Sequence, residues 1–313
     1  VRTGRRALLG LAAVLPLPAA AGAARRDPAE LVVPAPPGSG PDRWARGIAP
    51  FLERAWPRQP LVVRNRPGRS GMEAAGELAA APPRRSLLVL TTPVMLARAV
   101  ESGEASPVAR LSPLAALVEE PALLVAAPGG PGDLDALRNG TRTSPIATPP
   151  PGTGAHVTGL RLAERAGLPI LPFPSATAAR QAAAAGHVVA AVLTVPDAIG
   201  LLRDNRLVAL GIAASRRSAL LPEVPTLREA GLELLGATRR GFALGPGTEP
   251  EWRSWLTDGL ARLAGDPDLE SFCAENGQVP RFLGPEAWAG LLTRQEEELR
   301  RRWQEAPWLP RRT

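Results

Sequence analysis

Lysine and tyrosine are absent from this 313-residue chain, cysteine occurs once and histidine twice. Each scarcity closes off a class of function. A single cysteine, Cys273, cannot form an internal disulfide, so packing alone must hold the fold, and a small apolar role on a helix face suits it. His156 and His187 stand without a Cys, Asp or Glu at ligand spacing, so no metal site is expected. With five Phe and no Tyr, the chain offers few platforms for stacking nucleic-acid bases. The Gly-x-x-x-x-Gly-Lys-Ser/Thr loop is missing, as is a three-glycine dinucleotide fingerprint followed by an acid, so neither a nucleotide enzyme nor a bound cofactor is expected. No Gly-x-Ser-x-Gly elbow occurs, and Thr153 near His156 is the one local pairing of a nucleophile with a base. No catalytic residue is assigned.

The formal charge is +7, and every basic residue is arginine. The arginines are scattered among acids and run together only at Arg300, Arg301, Arg302 and at Arg311, Arg312, the pattern of a solvated helix face and a chain end. Residues 1–23 read as an export signal. Arg2, Arg5 and Arg6 form a positive start, Ala7 to Leu17 an apolar stretch, and Ala21-Gly22-Ala23 a cleavage site; Arg5-Arg6 resembles a twin-arginine signal. Loss of those three arginines lowers the formal charge from +7 to +4. A periplasmic location is the resulting expectation, with no later segment apolar for long enough to span a bilayer.

The chain has 45% hydrophobic residues, enough for two cores of ordinary domain size. Short apolar runs alternate with Gly/Pro turns and amphipathic helices, the pattern of α/β domains with mainly parallel sheets. Leu31-Val32-Val33 reads as a strand, followed by a helix from about Asp42 with Trp44, Ile48, Phe51 and Ala55 on one face. Strands are also expected at 61–63, 87–90, 122–127, 145–148, 169–173, 188–194, 207–213 and 241–245, with the C-terminal region helical. There Trp252, Trp255, Leu256, Leu260 and Leu263 form one apolar stripe, and Trp288, Leu291, Leu292, Leu299 and Trp303 another, so the tryptophans are expected in the core. Segments 102–113 and 128–132 bracket an expected crossing between domains, and a second falls near 241–247. The domains expected are 24–120 with 241–313, and 121–240.

In an open α/β sheet, ligands bind beyond the C-terminal ends of strands. Two strand-to-helix turns stand out there: Pro34-Ala35-Pro36-Pro37-Gly38-Ser39-Gly40-Pro41-Asp42 and Thr148-Pro149-Pro150-Pro151-Gly152-Thr153-Gly154-Ala155-His156. Glycine lets the backbone approach a ligand, the Ser39 and Thr153 hydroxyls bond to it, and free amides at a helix start favour an anion. The plainer reading makes each an ordinary loop with a helix cap, and His156 a support for its loop.

At these residues the sequence resembles the substrate-binding proteins of tripartite tricarboxylate transporters, the Bug family, from about residue 30 to residue 303. Val33-Pro34, Gly38, Asp42 and Ala45-Arg46 are similar to the family's opening motif. Asn65-Arg66-Pro67-Gly68 with Gly71 follows, then Gly152, Thr153, His156 and Gly159. The most specific stretch is 217–226, Arg-Ser-Ala-Leu-Leu-Pro-Glu-Val-Pro-Thr, with Glu229-Ala230-Gly231. The resemblance implies a two-domain Venus-flytrap, a periplasmic binding protein fold of type II-like α/β architecture. It closes on a small mono-, di- or tricarboxylate, for a permease of one large and one small membrane subunit, and a monomer suits that mechanism; the alternatives are a periplasmic sensor of the same fold that signals to a membrane receptor and, behind it, a secreted hydrolase. By position Pro36, Gly38, Ser39, Asp42, Thr91 and Thr92 would line one side, and Thr148, Gly152, Thr153, His156, Ser175 and Thr194 the other. Departures from the family pattern fall in the same region: Ala35, Ser39, Pro150, Ala155, Phe173 and Val189, and a replaced turn at 83–86. Pro150 and Pro151 remove amide donors, which implies fewer direct bonds to the anion, or more water, at the second turn than is typical of the family, or an unusual ligand.

Overall fold

The computed structural model describes residues 27–82, 85–104, 106–140 and 144–310. The expected export signal lies outside them, as do Pro83 and Arg84. In chain order the elements are β1 (Ala29–Val33), α1 (Gly40–Ala55), β2 (Leu61–Asn65), α2 (Met72–Ala80), β3 (Ser86–Thr92), α3 (Val94–Ser102), β4 (Ser112–Ala126) and α4 (Leu134–Asn139). They continue as β5 (Ile146–Thr148), α5 (Gly154–Ala166), β6 (Ile170–Pro172), α6 (Ala176–Ala184), β7 (Ala190–Thr194), α7 (Val195–Arg203) and β8 (Val208–Ile212). The last are β9 (Ala237–Leu244), α8 (Pro250–Leu263), α9 (Pro267–Glu275), β10 (Val279–Leu283) and α10 (Pro285–Glu305).

The expected βα units form because apolar periodicity and punctuation agree. In α1, Trp44, Ala45, Ile48 and Leu52 make one buried stripe, and Pro41 in the first turn presets a helical φ where no amide is needed. The strands join in the order β2-β1-β3-β9-β4-β7-β5-β6, with β8 and β10 also pairing β4. Pairs β1–β2, β1–β3, β5–β6 and β5–β7 are parallel, as expected. Every pair that involves β4 or β9 is antiparallel, because these two strands carry the chain between the halves against the direction of their neighbours.

Strand β4 departs most from expectation. Its residues Ser112–Pro121 pair with β9, whereas Ala122–Ala126 pair with β7 and β8. The chain therefore passes from one half to the other within a strand, between Pro121 and Ala122, a point that lies between the segments 102–113 and 128–132. It returns ahead of the 241–247 turn, since the Ala122 amide donates to the Gly236 carbonyl at 2.8 Å and β9 starts at Ala237. Strand β10 was not expected at all. Pro280 sits inside it, a residue tolerated on a strand with one partner, and among the described residues β10 pairs only β4.

Each half is layered helix, sheet, helix. In the first, Trp44, Ile48, Leu52 and Trp56 pack with Leu256, Leu260 and Cys273 on one face, and Met95, Leu96, Trp288 and Leu292 cover the other. In the second, α4 and α5 supply Leu134, Leu137 and Leu162 on one face, while Ala179, Ala183 and Ala198 from α6 and α7 cover the other. Trp252 and Trp288 are core residues as expected, and Cys273 is fully buried with its thiol pushed up to about 12 by burial, assisted by Glu120. Helices α10 and α5 meet across the junction through the Arg302–Glu164 pair and through Arg161 and Glu298 at 3.9 Å. Among the described residues no helix is long and apolar enough to cross a membrane.

Candidate functional site

The two conspicuous turns have one construction. In Pro36-Pro37-Gly38-Ser39-Gly40, the Ser39 amide and hydroxyl both donate to the Pro36 carbonyl, at 3.3 and 2.6 Å. In Pro150-Pro151-Gly152-Thr153-Gly154, the Thr153 amide and hydroxyl donate to the Pro150 carbonyl at 3.2 and 2.8 Å. Gly38 and Gly152 hold φ of +76° and +81°, a region that glycine enters without a steric cost. Their amides donate four residues ahead, Gly38 to Asp42 Oδ2 at 2.7 Å and Gly152 to His156 Nδ1 at 3.3 Å. The paired prolines occur in both turns and contribute the carbonyl that closes each one. The first turn lacks the same two proline amides as the second, so neither keeps a donor at these positions that the other loses.

What the turns leave open is the start of a helix. Among the described residues the amides of Gly40 and Asp42 in α1, and of Gly154 and Ala155 in α5, have no protein acceptor. Helices of 16 and 13 residues stand behind them, so each start combines free donors with the positive end of a helix dipole. The turns differ in cover: Pro36, Pro37 and Gly38 are exposed, whereas Gly152 and Gly154 are buried.

Asp42 and His156 serve the turns from behind. Asp42 is 3% exposed and also accepts from Arg46 at 3.0 Å and from Asn65 Nδ2 at 2.9 Å. Burial alone would raise its carboxyl, but the Gly38 amide, Asn65 and Arg46 outweigh that and hold it below the usual range. With its oxygens so engaged, Asp42 clamps the first turn. Asp42→Ala, which strands the Gly38 and Asn65 donors, is expected to cost about 1–3 kcal/mol, read as a lowered urea midpoint; an unchanged midpoint would refute the clamp.

His156 is fully buried, and burial, with Arg302 adding, pushes its pKa down to about 4. The ring is neutral at pH 7. Because Nδ1 accepts from Gly152, the proton resides on Nε2, which has no partner among the described residues. The Thr153 hydroxyl donates to Pro150 and accepts from the His156 amide. No nucleophile-to-base hydrogen bond joins it to the imidazole.

Both helix starts meet the same strand. A Cβ on Gly154 would lie 2.5 Å from Thr238 Oγ1 and 2.9 Å from the Thr238 nitrogen, and one on Gly40 would lie 3.7 Å from Arg240 Nη2. Thr238 and Arg240 are two residues apart on β9, hence on one face of the sheet about 7 Å apart. Gly152 also abuts Ala97 of α3, where a Cβ would come within 2.8 Å. The second turn is thus seated against the first half.

A buried polar group lies where the turns converge. Arg240 donates through Nε and Nη2 to the two oxygens of Glu120, at 2.8 and 3.0 Å, and through Nη1 to Thr91 Oγ1 at 3.2 Å. Gln278 Nε2 donates to Glu120 at 2.9 Å. From the second half, Thr194 donates to Asp197 Oδ2 at 2.7 Å. Burial raises the Asp197 carboxyl; Thr194 opposes this and Glu120 reinforces it. Thr92 and Thr148 are fully buried, and their hydroxyls have no partner among the described residues. Ser175 stands apart: it is exposed, caps α6 by accepting from Ala178, and follows the outermost strand, β6. Glu120, Arg240 and Gln278 were invisible in the sequence reading, because 120 and 158 residues separate Glu120 from its partners and no local motif surrounds them.

A cavity of about 550 Å³ opens at the junction, lined by Pro93, Gly154, Thr158, Ala237, Arg239 and Arg294 among others, and by no residue of the first turn. A second, of about 960 Å³, lies beside α3 at Arg69, Arg98 and Trp303 and touches neither turn.

Residues 46–288 match the family described as the tripartite tricarboxylate transporter family receptor. The chain belongs to this receptor family. Among the relatives of this receptor, Protein BugT of Bordetella pertussis is 28% identical over 278 residues, covering 85% of each chain. Its fold is similar to that of MatC from Rhodopseudomonas palustris with bound malate, at 26% identity, a TM-score of 0.71 and coverage of 87% of this chain and 97% of that one. It is similar also to R. palustris Rpa4515 with adipate, at 22% identity, a TM-score of 0.72 and coverage of 88% and 95%. The receptor thus has the two-domain α/β architecture of periplasmic binding proteins, and its family and fold are those of solute-binding proteins.

Proposed function

We propose that this receptor works in the periplasm, captures a small carboxylate between its two glycine turns, and delivers it unchanged to a membrane permease of one large and one small subunit. The observation that carries the reading is the pair of matched turns, each ending in a helix start with free amides and both seated on β9. Two such starts suit an anionic ligand and need no cofactor. Gly38, Ser39, Gly40, Thr91 and Thr92 form the first side of this site, and Thr148, Gly152, Thr153, Gly154 and Thr194 the second. Asp42 and His156 act through the turns they brace. The malate and adipate bound by similar structures support a carboxylate as cargo.

The domains divide at Pro121/Ala122 and Gly236/Ala237, and closure is a hinge motion there, stabilised by whatever the ligand gains in the closed state. A thermal-shift screen of mono-, di- and tricarboxylates, malate and adipate included, tests the reading. A ligand at 100 times its Kd adds about 2.7 kcal/mol of stability, a rise of several degrees. A panel in which no carboxylate raises Tm while sugars or cations do would refute it.

A further inference from the structure

Resting on the carboxylate reading above, we propose that Arg240 is a ligand-contacting residue that adds a fixed side-chain cation to the two glycine turns and directs the site toward short dicarboxylates. The first support is a count of donors. A guanidinium has five N–H groups, and three are engaged, two by Glu120 and one by Thr91. The side-on pairing with Glu120 takes the edge formed by Nε and Nη2. One N–H on Nη2 and one on Nη1 remain, and the spare Nη2 donor is turned away from Glu120. An oxygen bound there is nearer to the cation than to the Glu120 carboxylate.

The second support is place. Nη2 lies beside Gly40, at the start of α1, where the free amides are. On the same strand face Thr238 abuts Gly154, at the start of α5. A ligand with one carboxylate at each helix start would span the roughly 7 Å between these strand positions, a spacing suited to a short dicarboxylate. The third is rigidity. Thr91 holds one side of the guanidinium while Gln278 braces Glu120 from the other, so the donors are aimed before any ligand arrives, which lowers the cost of binding. A buried Arg–Glu pair is poor value for stability alone, since apolar residues of similar volume usually serve as well; a ligand contact gives it a use.

The test is calorimetric titration of the full chain and of the Glu120→Gln/Arg240→Gln double variant with malate, adipate and their monoamides. The double change removes both charges together and leaves no buried ion unpaired. The wild-type chain is expected to bind at least one diacid about 10–100-fold more tightly than its monoamide, the range for hydrogen bonds to a charged group. The double variant is expected to bind the two within about threefold, with the loss falling on the diacid. A double variant that keeps the wild-type preference makes Arg240 structural and overturns the proposal while leaving the carboxylate reading intact. No wild-type response to any carboxylate overturns both. If the double variant is unstable, Arg240→Lys retains the charge without the fork and is expected to lose about tenfold in diacid affinity only; unchanged affinity for diacid and monoamide alike overturns the assignment.

Discussion

Glu120→Ala is expected to destabilise the protein by about 3–5 kcal/mol, the usual result of stranding one member of a buried ion pair. Glu120 is 3% exposed and Arg240 7%, so a lone guanidinium has little water to replace the carboxylate's two hydrogen bonds. The amide of Gln278 loses its acceptor in the same change. Because Glu120 is the penultimate residue of the β4 segment paired with β9, the damage falls where the chain crosses between halves. Urea denaturation followed by tryptophan fluorescence at pH 7.5 measures the loss. Glu120→Gln, which keeps a carbonyl for Arg240, is expected to lie between the wild type and Glu120→Ala. A midpoint for Glu120→Ala within about 1 kcal/mol of wild type would show that the pair is solvated and that the polar group at the junction holds nothing together.

Acid is expected to withdraw a further, separable contribution at His156. Its pKa is about 4 in the folded protein and about 6.5 in an unfolded chain. A depressed folded pKa means that the unfolded state takes up the proton first. The contribution is therefore complete above pH 6.5 and lost as pH falls toward 4, and 2.5 units correspond to about 3 kcal/mol. Protonation also turns Nδ1 from an acceptor into a donor, which opposes the Gly152 amide and loosens the second turn. His156→Asn retains a short side-chain acceptor for that amide but cannot titrate. Urea midpoints measured at pH 7, 5.5 and 4 should fall for both proteins, since carboxylates titrate in each, but less steeply for His156→Asn. Equal slopes would mean that the imidazole is protonated in the folded state without penalty.

The fold was legible wherever local chemistry decides it. The spacing of Trp44, Ile48, Phe51 and Ala55 announces the inner face of α1, with Trp44 and Ile48 buried, Phe51 and Ala55 half-buried and Leu52 buried beside them, and the paired turns 34–42 and 148–156 announce strand-to-helix junctions by composition. Each of the nine expected strands overlaps an observed one for the same reason. What failed in the reading is equally specific. Residues 114–121 fall outside the expected strands, between the connection 102–113 and the strand 122–127, yet β9 pairs Ser112–Pro121 along its length. Strand β10 was hidden by Pro280, which is acceptable because β4 is its sole partner among the described residues.

The candidate site divides along the same line. The two Pro-Pro-Gly-Ser/Thr-Gly turns are built from hydrogen bonds spanning three or four residues, so their geometry, the positive φ at Gly38 and Gly152, and the open helix starts behind them were determined by sequence alone. So was membership of a solute-binding family, since its marks are local motifs in order. The tertiary structure decided that both turns meet on β9 and that Asp42 and His156 are spent on bracing them. It alone brought Glu120, Arg240 and Gln278 together beside the first turn. Those contacts join residues more than a hundred positions apart, and no local preference encodes such a pairing; it exists only after the sheet has assembled.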